Sequence, residues 1–283
     1  MKSLLALALL FTASTAAVRA QGGSFNSPAG LQLYSLRSQF ALRGVTWTLD
    51  RVKEFGITDV ELAGTYHLSA GQFRKELDAR GLKAISSHFP YARYKLDLDG
   101  VVTEAKALGI QYAGCAWIDH AGDFDEAEAR AAAKLFNRAG EALAKVGVTF
   151  FYHCHGYEFQ PHGDGTLFDL LMKETKPEHV SYQMDVLWVI FPGQDPVKLM
   201  EKYTGRWKLM HLKDLKKGVA TGSLSGKTDV SNDVTLGSGQ MNWPAIFTAA
   251  QKAGIKHYFI EDESPTSMEQ IPNSLAFLKN LKW

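Results

Sequence analysis

Val180-Ser181-Tyr182-Gln183-Met184-Asp185 is a short β-rich run that ends on a carboxylate, and a run with helical period, 195–203, separates it from the next β-rich run at 206–212. Followed outward in both directions, the same alternation recurs along the chain. The predicted strands are 30–36, 57–62, 82–88, 110–116, 148–154, 179–185, 206–212 and 256–261. A helical run follows each, at 46–55, 69–80, 98–108, 124–147, 166–175, 195–203, 243–253 and 267–281, several closing on a glycine such as Gly56, Gly81, Gly109 or Gly254. Eight βα units predict an α/β fold, a (β/α)8 TIM barrel of one domain over residues 21–283. An open doubly wound sheet is the competing arrangement, but no Gly-x-Gly-x-x-Gly turn follows the first strand. No linker divides the chain. The one long irregular stretch, 215–242, carries Gly218, Gly222, Gly226, Gly237 and Gly239 and reads either as a flap over a site or as a surface insertion.

Before the first unit, Met1-Lys2-Ser3 leads into the apolar run Leu4–Phe11, too short to span a bilayer, and Val18-Arg19-Ala20 offers small residues at a cleavage site. Residues 1–20 read as a signal peptide, so the protein is expected to be exported, to the periplasm or beyond. No second long apolar run follows, so no membrane span is expected after cleavage. A formal net charge of +1 gives no electrostatic reason to expect nucleic acid as a partner, and a small neutral substrate fits better. Two cysteines, Cys115 and Cys154, are too few for a disulfide framework and read as separate buried thiols, with one bridge between neighbouring strands as the alternative.

In a barrel, side chains alternate between the interior and the helix layer, and active sites form where the strands end. Polar residues collect at those ends. Gln32 and Tyr34 share a parity on the first strand, Glu61 ends the second, and Ser86 and His88 stand two apart on the third. The fifth supplies His153 and His155, the sixth Gln183 and Asp185, the seventh His211 and Lys213, and the eighth ends in Glu261. So many ionisable groups at a packed mouth are costly unless something compensates them, and a divalent ion would do so. Taken singly, each has a plainer role: Asp185 as a turn cap, His211 as a core histidine, Glu261 as a partner of Lys213.

The blocks Gln32-Leu33-Tyr34-Ser35-Leu36-Arg37, Tyr152-His153-Cys154-His155-Gly156-Tyr157-Glu158-Phe159, Met184-Asp185-Val186-Leu187-Trp188-Val189, His211-Leu212-Lys213-Asp214 and Leu236-Gly237-Ser238-Gly239 together resemble the sugar phosphate isomerase/epimerase family, the xylose isomerase-like barrels. The resemblance covers about residues 28–283. It implies one divalent ion (Mn, Co, Zn or Mg) held by Glu158, Asp185, His211 and Glu261. Glu158 lies past the predicted end of strand five, and His153 or His155 joining or replacing it is the open alternative. An exported member also looks similar to a branch acting on 3-keto glycosides.

The expected chemistry is proton transfer beside a sugar carbonyl. Glu158 and Glu261 would serve as bases on opposite faces for epimerisation, whereas His153 or His155 protonating a leaving oxygen would give elimination. Lys213 is expected to hold a substrate oxygen. Gln32, Tyr34, Glu61 and His88 are read as sugar-hydroxyl contacts, and Trp117 and Trp188 as stacking surfaces. A non-catalytic sugar-binding barrel is the rival from another class. An apurinic-site endonuclease would need a basic groove that the sequence lacks.

Overall fold

The structure, a computed structural model, describes residues 23–283, so the signal-peptide reading of residues 1–20 lies outside the described residues. Eight parallel strands close into a barrel: β1 (Ala29–Gln32), β2 (Asp59–Leu62), β3 (Lys83–His88), β4 (Tyr112–Cys115), β5 (Thr149–His153), β6 (Val180–Asp185), β7 (Trp207–Leu212) and β8 (His257–Ile260). Each pairs with the next in sequence, and β1 closes the ring on β8 with Ala29 opposite Tyr258. Helices lie between the strands, as expected of βα units that bury both faces of a parallel sheet. No described helix is long and apolar enough to cross a membrane.

The lower interior of the barrel is apolar. Phe151, Leu209 and Phe259, each two residues before a histidine or carboxylate of the mouth, pack with Ile85 into an inner cluster. The rings fit because glycines face them: a Cβ on Gly114 would lie 2.2 Å from the Phe151 ring, and one on Gly30 2.6 Å from Phe259. Side chains therefore fill this end, and the polar groups are confined to the other.

Most helix boundaries follow the sequence closely, with Leu98–Leu108 ending on left-handed Gly109 and Trp243–Ala253 on left-handed Gly254, but the first helix begins at Arg37 rather than 46 and is broken at Gly44. Three departures bear on the site. The first strand stops at Gln32, because the Gln32 side chain accepts the Tyr34 N–H at 3.0 Å and draws Leu33–Leu36 into a 3-10 turn. Short helices at Tyr91–Leu96 and Val186–Ile190 follow β3 and β6 directly. The stretch 215–242 is anchored rather than loose: Asp214-Leu215 pairs with Asp233-Val234, and the buried Asp214 carboxylate accepts the N–H groups of Gly237, Gly239 and Met241 and the Trp243 indole. Both cysteines are buried free thiols, as the sequence suggested.

Candidate metal and substrate site

At the strand ends, four donor atoms from four strands come together: His153 (end of β5), Asp185 (end of β6), His211 (β7) and Glu261 (just past β8), all within 4.8 Å of one another. His211 Nδ1 lies 3.0 Å from His153 Nε2, 3.0 Å from Glu261 Oε2 and 3.5 Å from Asp185 Oδ2. Asp185 divides its labour, since Oδ1 caps the Val186–Ile190 helix through the Trp188 N–H at 3.0 Å while Oδ2 faces the histidines. Burial opposes charge on His211, yet Glu61, Glu261 and Asp185 raise its pKa well above the ordinary imidazole value. Burial likewise opposes ionising Glu261, but Lys213 and His211 hold its carboxyl well below the usual range.

This donor set fits a divalent ion. The other ring nitrogen of His211, Nε2, meets Glu61 Oε1, so a neutral His211 places its proton there and turns the Nδ1 lone pair toward two carboxylates and a second imidazole. Without an ion, a proton on Nδ1 meets those carboxylates, in keeping with the raised pKa of His211, and a divalent cation would take that proton's place. Two imidazole nitrogens with two carboxylate oxygens are a donor set that Zn, Mn or Co accept.

Glu158 is not in this group. The turn at Gly156, with φ +95°, carries it into a 3-10 turn, where it is buried against the Tyr152 hydroxyl and the His155 N–H. Burial pushes its carboxyl above the usual range. His153 stands where the resemblance places Glu158. The sequence signal was the parity of β5, which aims His153 inward, whereas a residue beyond the strand end has no fixed direction.

Above the donors opens a cavity of about 510 Å³, a size suited to small molecules. Gln32, Tyr34, His88, His153, His155, Trp117, Trp188 and Glu261, all singled out from the sequence, line it, whereas Glu61 and Lys213 do not. Glu61 is wholly buried beneath His211. Lys213, 1% exposed, commits its ammonium to Glu263 at 2.7 Å, Glu261 at 3.4 Å and Asp233 at 3.7 Å. Both were expected to reach substrate, and neither faces the cavity. Three acids not singled out from the sequence also line it: Asp119 beyond β4, Glu263 two residues past Glu261, and Asp233 from the anchored stretch. Gly226 seats that stretch on the aromatic wall, where a Cβ would lie 2.8 Å from the Tyr157 ring and 3.2 Å from Trp117. His155 stacks on Trp188 at 4.5 Å, and burial lowers its pKa well below the ordinary value, so its imidazole is neutral.

Asp233 gives a pH signature. Burial pushes its carboxyl up to about 7 against the pull of Lys213. A folded-state pKa above the unfolded value means that this group's contribution is complete below about pH 4 and is lost as pH rises through about 7. Asp233→Asn keeps the neutral form at every pH and should raise Tm over the parent at pH 8 but not at pH 4. An equal shift at both pH values would show that Asp233 carries no such cost.

Comparison with known proteins agrees with this architecture. The family described as Xylose isomerase-like TIM barrel matches residues 49–281. An inosose dehydratase of Geobacillus thermodenitrificans is 25% identical over 259 residues, covering 76% of this chain and 86% of its own. Further inosose dehydratases match over less than half of their length. A solved sugar phosphate isomerase/epimerase of Parabacteroides distasonis superposes with TM-score 0.72 at 28% identity, covering 95% of this chain and 99% of that one. A solved IolI protein with a bound zinc atom, 12% identical, shares the fold at TM-score 0.70 over 88% of this chain and 95% of its own.

Proposed function

The chain belongs to the xylose isomerase-like TIM barrel family, among whose relatives are enzymes named as isomerase/epimerases and dehydratases, and from that premise we propose that it is an exported, metal-dependent lyase that dehydrates an uncharged keto-sugar or keto-cyclitol. The observation that carries this reading is the convergence of His153, Asp185, His211 and Glu261 at a cavity of small-molecule size. A divalent ion bound there supplies a Lewis acid that polarises a carbonyl and acidifies the neighbouring C–H.

The chain's own groups divide the remaining work. Glu261, which lines the cavity, takes the proton from carbon, and the electron pair left behind becomes the new C=C bond as the bond to the leaving oxygen at the next carbon breaks. His155, neutral and carrying one N–H, donates a hydrogen bond to that oxygen, and the proton taken by Glu261 passes to it so that it departs as water. Gln32, Tyr34 and His88 meet hydroxyl groups, and Trp117 and Trp188 give an apolar sugar face a flat surface.

Elimination is favoured over epimerisation by the position of Glu158. Epimerisation through two bases needs groups on opposite faces of the substrate; Glu158, the second base expected from the sequence, is engaged with Tyr152 and His155 away from the cavity, and Glu263 and Asp233 gather with Glu261 around the one Lys213 ammonium. An uncharged substrate is favoured by the lining, where Asp119, Asp233, Glu261 and Glu263 outnumber Lys227 and would repel a phosphate. Export rests on the leader at 1–20, and finding Gln21 at the N-terminus of the mature protein would support it.

The test is metal analysis of purified protein, followed by incubation of keto-sugars and inososes in deuterated water. Metal-dependent loss of water with appearance of an enone absorbance is the expected result. Deuterium incorporation without loss of water would convert the reading to epimerase, and metal-free protein with no exchange would sink it.

A further inference from the structure

Glu61 sends no atom to the cavity, yet five side chains from four strands converge on it. Its Oε1 accepts Gln32 Nε2 at 2.8 Å, meets His211 Nε2 and lies 3.3 Å from His88 Nε2, and its Oε2 accepts Ser86 Oγ at 2.6 Å and Gln183 Nε2 at 2.9 Å. Gln183 in turn offers its amide oxygen to His88 Nε2 at 3.0 Å. Fixed amide orientations follow. With its carbonyl oxygen occupied by the Tyr34 N–H, Gln32 must present its NH2 to Glu61, and Gln183, with its oxygen toward His88, must do the same.

A carboxylate surrounded by donors has no proton to give, so the bond to His211 needs its hydrogen on Nε2. We infer that Glu61 is a positioning residue that locks His211 in the Nε2–H tautomer, leaving Nδ1 as the ligand atom toward Asp185, Glu261 and His153. Carboxylates behind metal-binding imidazoles act in this way, fixing ring orientation and raising ligand basicity, and their loss weakens metal binding by about 10–100-fold. Glu61, His88 and His211 also lie close enough together to hold an ion of their own. Glu61 is poorly suited to that role, because both of its oxygens are already engaged by protein donors.

The inference rests on the reading that His211 ligates a metal, and the experiment separates the two. Zinc affinity of metal-stripped protein would be measured by competition with a chromophoric chelator for the parent, Glu61→Gln and Ser86→Ala. The glutamine keeps the shape but turns an NH2 toward a cluster of donors, so affinity should fall about 10–100-fold. Ser86→Ala removes one donor and spares the carboxylate, so its affinity should stay within about threefold of the parent. Equal affinity in Glu61→Gln and the parent overturns the role of Glu61, as does loss of a second bound zinc in that variant. A parent that binds no zinc overturns the metal reading itself. Should Glu61→Gln not fold, 15N spectra of histidine-labelled, zinc-loaded parent decide: His211 protonated at Nε2 is expected, and protonation at Nδ1 refutes the lock.

Discussion

His211→Ala should leave the protein without a tightly bound divalent ion and cut turnover by about 10³-fold or more, the scale expected when a Lewis acid and a properly held base are lost together. His211 is wholly buried, at the meeting point of Glu61 on one side and Asp185, Glu261 and His153 on the other. Alanine removes a ligand and also strands Asp185 and Glu261 with only Lys213 and His153 to balance them. The measurement is thermal unfolding with and without zinc. An ion present at 100 times its Kd adds about 2.7 kcal/mol to the folded state, enough to move Tm by roughly 5–10 °C in a chain of this size. The parent should show that shift and the variant should not. A variant that still gains several degrees from zinc would place the ion elsewhere.

The largest effect on stability is expected at Lys213→Met. Methionine keeps an apolar stem of similar length but removes an ammonium that faces Glu261, Glu263 and Asp233 from within the fold and lies 5.5 Å above the Trp188 ring. Breaking a buried pair by deleting one partner costs about 3–5 kcal/mol, because the charges left behind are uncompensated. Tm should fall by roughly 6–20 °C at pH 8. The deficit should shrink toward pH 5, since Asp233, with its carboxyl pushed up to about 7, discharges over that interval. Calorimetry at the two pH values reads both the size and the sign. A loss confined to activity, with Tm unchanged, would mean that Lys213 serves substrate after all.

The closed eight-strand barrel was legible because each strand and helix carries its own local period, and the alternation needs no long-range information. Legibility faded where one side chain redirects the chain. Gln32 ends β1 by capping a turn with its own amide, and Gly156 turns Glu158 away from the mouth, neither of which hydrophobic periodicity encodes. Parity brought out His153, Asp185, His211 and Glu261, since residues inside or just past a strand inherit its direction. It could not tell a group that lines the cavity from one a layer beneath, which is why Glu61 and Lys213 read as substrate contacts. Nor could it mark Asp233, which reaches Lys213 only because Asp214-Leu215 pairs with Asp233-Val234 across the long connection.

That connection also dictates how the cavity can be entered. Its two ends are buckled together at Asp214, whose single carboxylate grips Gly237, Gly239, Met241 and Trp243, and its rising limb is pinned again where the Gly222 N–H meets the Phe191 carbonyl at 2.7 Å. A strap fastened in this way cannot swing like a door. Any outward bowing would fall between its fastenings, over 223–231, and would lift Gly226 off the aromatic wall while leaving Asp233 beside Lys213. Entry by that route would leave the charge balance of Lys213 with Glu261, Glu263 and Asp233 undisturbed.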